Sequence, residues 1–391
     1  MSTTVSLFLE PLDVLFFRDG KPFGATSRVV SGQPFPQTLM GALWTALLTK
    51  YGCDFEKLTD LVRIEDNRGS PDKDSPPPRK PLQQLLIEAG APPWITRLQL
   101  RGPFLAKRTD EKAPPQVYLP VPSIIHSIKT KSVSAGAKSG DSRQFYRLAP
   151  LSRQRRLPGW PAPDGLRPLW LTSKVPTEPV EGFLDLDGTK LILTNQELDA
   201  QLRIYSPHEL FLHDYRVGIG INPETLIATG SLIYEIGLLQ LAPSLGYYAE
   251  VMLPQDAPQD ALVGINTLHF GGEGRRVRLV FVPQVNWPQA LPQGDSQKPF
   301  LLLTTPAVFH QGYRPQVLSG YLVAASVSGY QAVSGWDLAR GGPKPTRFAV
   351  PAGSVYFLEN LPPELPAALA DEPNERGQGW GCYLIGVWND V

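Results

Sequence analysis

The 391-residue chain is short of cysteine, of net charge and of long apolar runs, and each shortage closes off a class of protein. Only Cys53 and Cys382 occur, far apart in sequence, which excludes a disulfide scaffold and a four-cysteine zinc site and fits a reducing compartment. Lysine plus arginine equals aspartate plus glutamate at 37 each, so no global positive field draws in nucleic acid, and any polyanion site must be a local patch. No apolar run is long enough to span a bilayer, and the N-terminal stretch lacks the regions of a signal peptide; the cytoplasm is the expected location.

Catalytic and nucleotide motifs are equally scarce. Gly-Ile-Gly-Ile-Asn-Pro-Glu at 218–224 has two glycines of a dinucleotide fingerprint, but Pro223 stands where the third belongs, and no Walker-type Gly-Lys-Ser/Thr occurs. Among His126, His208, His213, His269 and His310 only the i,i+5 pair His208 and His213 comes near a ligand spacing, so no metal and no cofactor is expected. No Gly-x-Ser-x-Gly elbow is present, and Asp-Leu-Asp-Gly at 185–188 reads as a turn rather than an acid/base pair.

Proline, by contrast, is abundant at 41 residues and clusters with charge in segments that read as surface insertions. Residues 63–81 are polar and Pro-rich with no face to bury. Residues 126–158 hold eight cations (Lys129, Lys131, Lys138, Arg143, Arg147, Arg153, Arg155 and Arg156) against Asp141, a local charge of +7. Phe145 and Tyr146 lie among them, the mixture on which single-stranded nucleic acid stacks and pairs. A solvated, disordered loop fits the same composition.

Between the insertions, Thr-Val-Ser-Leu-Phe-Leu-Glu near the N-terminus alternates as a strand, and residues 36–52 follow as a helix, with Leu39, Met40, Leu43, Leu47 and Tyr51 on one face and Gly52 as its stop. Gly41 inside that helix costs about 1 kcal/mol relative to Ala, which packing, or close approach by a backbone or ligand, would explain. Strands are predicted at 97–107, 231–241, 246–253, 275–282, 298–305 and 346–359. The chain is long enough for two cores, and strand-rich patterns in both halves suit two related α+β domains.

The remaining candidates are glycine loops that carry charge. Residues 269–279 break at Gly271, Gly272 and Gly274 and resume with Arg275 and Arg276, bare amides beside guanidiniums of the kind that suit phosphate. Trp336, Arg340 and Lys344 lie in a second loop at 334–345, and Arg376, Gly377, Gly379 and Gly381 in a third at 374–387. Near the N-terminus, Phe-Phe-Arg-Asp-Gly-Lys-Pro-Phe-Gly at 16–24 puts Arg18, Asp19 and Lys21 on a Gly-Pro turn, with Phe16, Phe17 and Phe23 either buried beneath it or open to a base.

In order along the chain, these pieces, with Phe-Pro-Gln-Thr-Leu-Met-Gly-Ala-Leu, Leu-Arg-Gly-Pro-Phe-Leu-Ala-Lys-Arg and Val-Pro-Ala-Gly-Ser-Val-Tyr-Phe-Leu, resemble the third-subunit family of the Cmr (type III-B) CRISPR effector complex, within the repeat-associated RAMP superfamily. The resemblance implies an α+β fold of two ferredoxin-like, RRM-related domains with Gly-rich loops and long polar insertions. The division expected is 1–215, with insertions near 55–95 and 126–165, and 216–391. It further implies binding of the 5′ tag of the guide RNA (crRNA), partnership with the large polymerase-like subunit and the backbone subunit, and no chemistry of its own. The RNA-binding residues expected are Arg18, Asp19, Lys21, Arg28, Lys107, Arg108, Arg153, Arg155, Arg156, Gly271, Gly272, Arg275, Arg276, Lys344, Gly377 and Gly379. Two alternatives stay open: a metal-independent guide-processing ribonuclease, for which His126 is the candidate base, and a subunit that touches protein alone.

Overall fold

Leu7 and Leu9 of strand β1 (Thr3–Pro11) point to one side and Ser6 and Phe8 to the other, and all four are buried, so β1 must be covered on both faces. The computed structural model describes residues 3–18, 28–66, 80–130, 142–155, 157–161, 165–198, 202–221, 224–225, 227–294, 296–337 and 342–390. Numbered along the chain, a seven-stranded sheet runs β10 (Phe183–Asp185), β4 (Gln116–Pro120), β3 (Gln99–Lys107), β13 (Leu245–Leu253), β1, β15 (Arg276–Phe281), β14 (Thr267–His269). Every pairing in it is antiparallel.

On its Leu7/Leu9 face the sheet packs against α1 (Pro36–Lys50), α2 (Phe55–Asp66) and α3 (Leu82–Glu88) through Leu39, Leu43, Leu58 and Leu85. On the other face Phe8, Phe104 and Tyr248 share a core with Phe300, Phe357 and Trp388. Those three belong to a four-stranded sheet ordered β17 (Leu322–Ser326), β22 (Val355–Leu358), β16 (Lys298–Leu303), β23 (Tyr383–Trp388). Its far face, with Leu301, Leu303, Tyr356 and Leu358, is closed by Phe309, Leu318 and Val350. The architecture is thus α+β, with mostly antiparallel sheets and few helices. Residue 215 does not divide the sheets: it falls inside β11 (Phe211–Ile221), and the seven-stranded sheet draws strands from both sides of it. Strands β13 and β15, which flank β1, thus complete the first sheet rather than open a second.

Helix α1 starts at Pro36 and buries Leu39, Met40, Leu43 and Leu47; Gly52, at φ +71°, ends it. Gly41 corrects an expectation. It is exposed, and nothing stands within 4 Å of where its Cβ would be, so neither packing nor close approach by another part of this chain accounts for it.

The Gly-Ile-Gly segment lies in a long antiparallel ribbon of β11 and β12 (Ala228–Leu241), to which β2 (Arg28–Val30) adds in parallel. Gly218 faces Tyr234 and Gly237 faces Tyr215 across the ribbon, and a Cβ on either glycine would run into the opposite ring. These glycines make room for cross-strand aromatics.

The first insertion begins as the last turn of α2, and residues 67–79 lie outside the described residues. The second is ordered at its base: β5 (Ile125–Thr130) pairs with β6 (Ser142–Arg147) and β9 (Glu178–Pro179), and β7 (Ala149–Pro150) with β8 (Leu169–Trp170), while 131–141 lie outside the described residues. Asp185 is a helix cap rather than part of a simple turn: its Oδ1 accepts from the Gly188 N–H at 2.9 Å at the start of α4 (Leu186–Leu193). A short arm, β18 (Gln331–Val333) with β21 (Arg347–Ala349), carries the small β19 (Trp336–Asp337) and β20 (Gly342–Pro343) pair. Among the described residues no helix is long and apolar enough to cross a membrane.

Candidate nucleic-acid interface

The N-terminal Phe-Phe-Arg-Asp-Gly segment is anchored at its root. Leu15 exchanges backbone hydrogen bonds with Leu239, each 2.8 Å. Phe17 donates its N–H to Ser31 Oγ at 2.9 Å, and its carbonyl accepts from Gly32 at 3.0 Å. The Phe16 carbonyl accepts from the Gly272 N–H at 2.8 Å. Both rings are buried, with Phe17 edge-on to Phe270 at 5.0 Å and to Tyr247 at 6.2 Å, so these two aromatics hold the loop down and are not offered to a base. Phe23 lies outside the described residues, as do Asp19 and Lys21.

Gly271 explains itself through the same contact. At φ +95°, its absent Cβ would sit nearer the Phe16 carbonyl oxygen than real Cβ atoms come. The amide of Gly272 is spent on Phe16, so Gly271 and Gly272 serve the clamp, and the bare-amide phosphate cradle read from the sequence does not form at Gly272. Phe270 N–H donates to Arg275 O at 2.8 Å, closing the turn, with Glu273 at φ 56° in the left-handed region.

Cations gather around this root. Arg18 is exposed where the loop leaves it. Arg28, on β2, lies 4.6 Å above the Tyr215 ring with its Nε 3.5 Å from Glu235. Arg275 pairs with Asp13 at 2.8 Å, Arg278 with Glu10 at 3.1 Å, and Arg276 donates to Thr267 Oγ1 at 3.0 Å. Lys107 and Arg108 end β3 close by; Arg108 donates its N–H to Ser244 O at 2.9 Å, while its buried Nε meets no acceptor. Phe8, Glu10, Asp13, Arg108, Gln240 and Ser244 line a cleft of about 360 Å³ there. Of the sequence candidates, Arg18, Gly271, Gly272 and Arg275 therefore lie at the root, Arg108 lines the cleft beside Asp13 with Lys107 preceding it on β3, Arg276 follows Arg275 on β15, and Arg28 stands further along the ribbon opposite Glu235.

The other candidates lie elsewhere. Arg153 pairs with Glu359 at 3.4 Å, beside Lys298 at 3.1 Å from the same carboxylate. Arg167 and Lys298 both hold Asp390. This network fastens the insertion's base to the four-stranded sheet. Arg155 is exposed and Arg156 lies outside the described residues. Arg147 is a structural cation, binding Asn195 Oδ1 and the carbonyls of Leu191 and Gln196 at the C-terminal end of α4; burial pushes its pKa down to about 10. His126 is half-buried, with Nδ1 3.1 Å from Thr177 Oγ1, and burial lowers its pKa.

Gly379, at φ +91°, presses on the carbonyls of Leu100 and Gly102, where a Cβ would stand 2.8 and 3.0 Å away. Gly377 approaches Leu98 O more loosely. The C-terminal glycine loop itself is thus seated against β3, ahead of the last strand, which pairs with β16. Trp380 inside it stacks on Phe35 at 5.7 Å, and Arg347 on the arm pairs with Glu375. Residues 31–37 form a strap joining these parts: Ser31 grips Phe17, Gln33 accepts from the Tyr247 hydroxyl at 2.8 Å, and Gln37 Nε2 donates to Ser334 O at 2.7 Å. Lys344 is exposed opposite Ser334.

Sequence reasoning missed Glu10 and Asp13, the acids that position Arg278 and Arg275, because the partners are more than 260 residues apart. It also missed Ser31, whose hydroxyl has no local signature. The Phe-Phe-Arg-Asp-Gly segment and the glycine-arginine cluster at 271–276 were the signals pointing to this place.

Among curated proteins none matches the chain. Solved structures of similar shape include chains of a type III-B Cmr-beta complex bound to cognate target RNA and AMPPnP (15% identity, covering 90% of this chain and 86% of that chain, TM-score 0.48). The same complex bound to cognate target RNA gives a TM-score of 0.47 at 15% identity, over 90% of this chain and 86% of that one. The family described as CRISPR-associated protein (Cas_Cmr3) matches residues 7–388, and the chain belongs to that family.

Proposed function

We propose that this chain is a non-catalytic subunit of a type III-B CRISPR ribonucleoprotein that holds the 5′ tag of the guide RNA and joins the large polymerase-like subunit to the backbone subunit. The observation that carries the reading is the clamp at Phe16 and Phe17, from which Arg18 follows directly and beside which Arg275 is held by Asp13, with Arg108 lining the adjoining cleft. Guanidiniums held by acids and rings keep a defined geometry toward phosphate or a base edge, whereas floating cations treat all RNA alike. The apolar row of Tyr215, Val217, Ile219 and Ile221, exposed along β11, supports contact with a neighbouring protein subunit. Two ferredoxin-like units remain part of this proposal, the first built on the seven-stranded sheet and therefore reaching to residue 281.

The test is to incubate the purified chain with labelled tagged guide, with untagged RNA of equal length and with guide precursor. A shift without cutting, stronger for the tagged guide, is expected; cutting would favour a ribonuclease using His126, and neither would favour a protein-only scaffold. Arg18→Ala should weaken tagged-guide binding by about one to two decades, as charge-assisted contacts of roughly 1.5–3 kcal/mol imply. Equal losses on tagged and untagged RNA, at unchanged melting temperature, would show that the loop supplies charge without recognition.

A further inference from the structure

Ser31 is a buried polar residue, 4% exposed, whose hydrogen-bonding groups are all occupied. Its N–H donates to Gly237 O at 2.8 Å, carrying the parallel run of β2 one residue further along β12. Its carbonyl accepts from His213 Nε2 at 2.9 Å, which ties it to β11 as well. Its hydroxyl oxygen accepts the Phe17 N–H at 2.9 Å and donates to Gly32 O at 3.2 Å. One residue thus joins the ribbon to the end of the Phe16–Phe17 root, across 14 positions of sequence.

What the hydroxyl does can be separated from what the backbone does. Strands β2 and β12 pair through main-chain groups, and that pairing needs no side chain at position 31. Upstream, Leu15 is held by Leu239 and the Phe16 carbonyl by the Gly272 N–H. Phe17 is buried with its N–H, and a buried N–H has to find an acceptor; the Ser31 hydroxyl supplies it. An apolar side chain at 31 would fill the space and leave that donor unmet. On the other side of the same residue, the Phe17 carbonyl accepts from Gly32 at 3.0 Å. That carbonyl belongs to the peptide that carries Arg18, so the two bonds to Ser31 and Gly32 set the direction in which the exposed Arg18 leaves the root.

We infer that Ser31 is a positioning residue for guide binding: through the Phe17 peptide its hydroxyl fixes the geometry with which Arg18 meets the tag. Being buried, Ser31 touches no RNA itself. The inference rests on the guide-binding reading and names the residue that gives the Arg18 contact its selectivity.

The experiment measures binding of the full chain to labelled tagged guide and to untagged RNA of equal length, across a range of salt concentrations. The proteins compared are wild type, Ser31→Ala, Arg18→Ala and the double variant. Ser31→Ala should weaken tagged-guide binding by about tenfold, within the one to two decades expected of Arg18→Ala. Untagged RNA should bind as it does to wild type, and the salt slope should hold, since no cation is removed. In the Arg18→Ala background, Ser31→Ala should cost nothing further, because the side chain it positions is gone. Ser31→Cys, which fills a similar space with a weaker acceptor, should show the same selective loss in smaller measure, and it decides the matter where the alanine variant does not fold. If wild type shows no preference for the tagged guide, the guide-binding reading fails and this role with it. If wild type prefers the tagged guide, three results overturn the inference alone: an unchanged preference in the Ser31 variants, equal losses on both RNAs, or a loss that adds in full to that of Arg18→Ala. The last two would make Ser31 a contributor to folding and not to recognition.

Discussion

Gly271 and Gly274 sit three residues apart in one turn, and both have positive φ, +95° and +65°. Their surroundings differ completely. A Cβ at 274 would meet nothing within 4 Å, whereas at 271 it would drive into the Phe16 carbonyl oxygen and the Phe17 ring. Gly274→Ala therefore isolates the left-handed backbone cost, about 1–2 kcal/mol. Gly271→Ala carries a similar cost, and to relieve the clash Phe16 must move, which also releases the hydrogen bond from Gly272. That bond is worth about 1 kcal/mol, and residual backbone strain adds about 1–3 kcal/mol. Gly271→Ala should thus destabilise by roughly 2–4 kcal/mol more than Gly274→Ala. Urea unfolding of the two variants beside wild type gives the difference, and guide binding should fall further for Gly271→Ala because Arg18 leaves the same root. Equal midpoints for the two variants would refute the clamp, since the clash with Phe16 and Phe17 at 271 has no counterpart at 274.

Three further outcomes follow from individual contacts. Gly41→Ala should stabilise by roughly 0.5–1 kcal/mol, because α1 gains helix propensity with nothing in the way; a lower urea midpoint would contradict the open surroundings. Arg147→Ala should destabilise by more than about 2 kcal/mol by orphaning the carbonyls of Leu191 and Gln196, while Arg143→Ala, on the same strand but exposed, should leave the midpoint unchanged. For Asp390, burial works to raise the carboxyl pKa, but Arg167 and Lys298 together outweigh it and hold the group below the usual carboxylate range. A depressed folded pKa contributes stability that is complete above the unfolded value of about 3.9 and is lost as pH falls through the folded one. Asp390→Asn should therefore show a shallower loss of stability than wild type below about pH 4, read from urea midpoints at successive pH values.

The strands were legible because their signal is local. Residues 97–107, 246–253, 275–282 and 298–305 alternate or run apolar between glycine and proline breaks, and each became a strand within a residue or two. Helix α1 was legible for the same reason, its buried stripe recurring at helical spacing. Partnership was not. Nothing in Arg276–Phe281 says that it pairs with β1 rather than with the strands that follow it, and this long-range choice moves the edge of the first sheet beyond residue 215. Glycines were the most ambiguous marks: Gly41 needs no space, Gly218 clears a tyrosine ring, and Gly271 admits a carbonyl, yet all three look alike in one dimension.

Charge behaves differently from apolar pattern, since a run of cations predicts a surface only if they are not already employed. The +7 of residues 126–158 is the strongest electrostatic feature of the sequence, yet folding assigns Arg147 to a helix end and Arg153 to Glu359. Arg18 and Arg275, far apart in sequence, are brought by contrast to one root, where Asp13 fixes Arg275 and Arg108 lines the cleft beside it. Folding, not the density of cations along the chain, thus decides which guanidiniums face outward: the insertion spends Arg147 and Arg153 on its own attachment, whereas at the root Arg275 is fixed by Asp13 beside an exposed Arg18. A guanidinium fixed by an acid keeps one geometry toward a ligand, and a solvated cation does not.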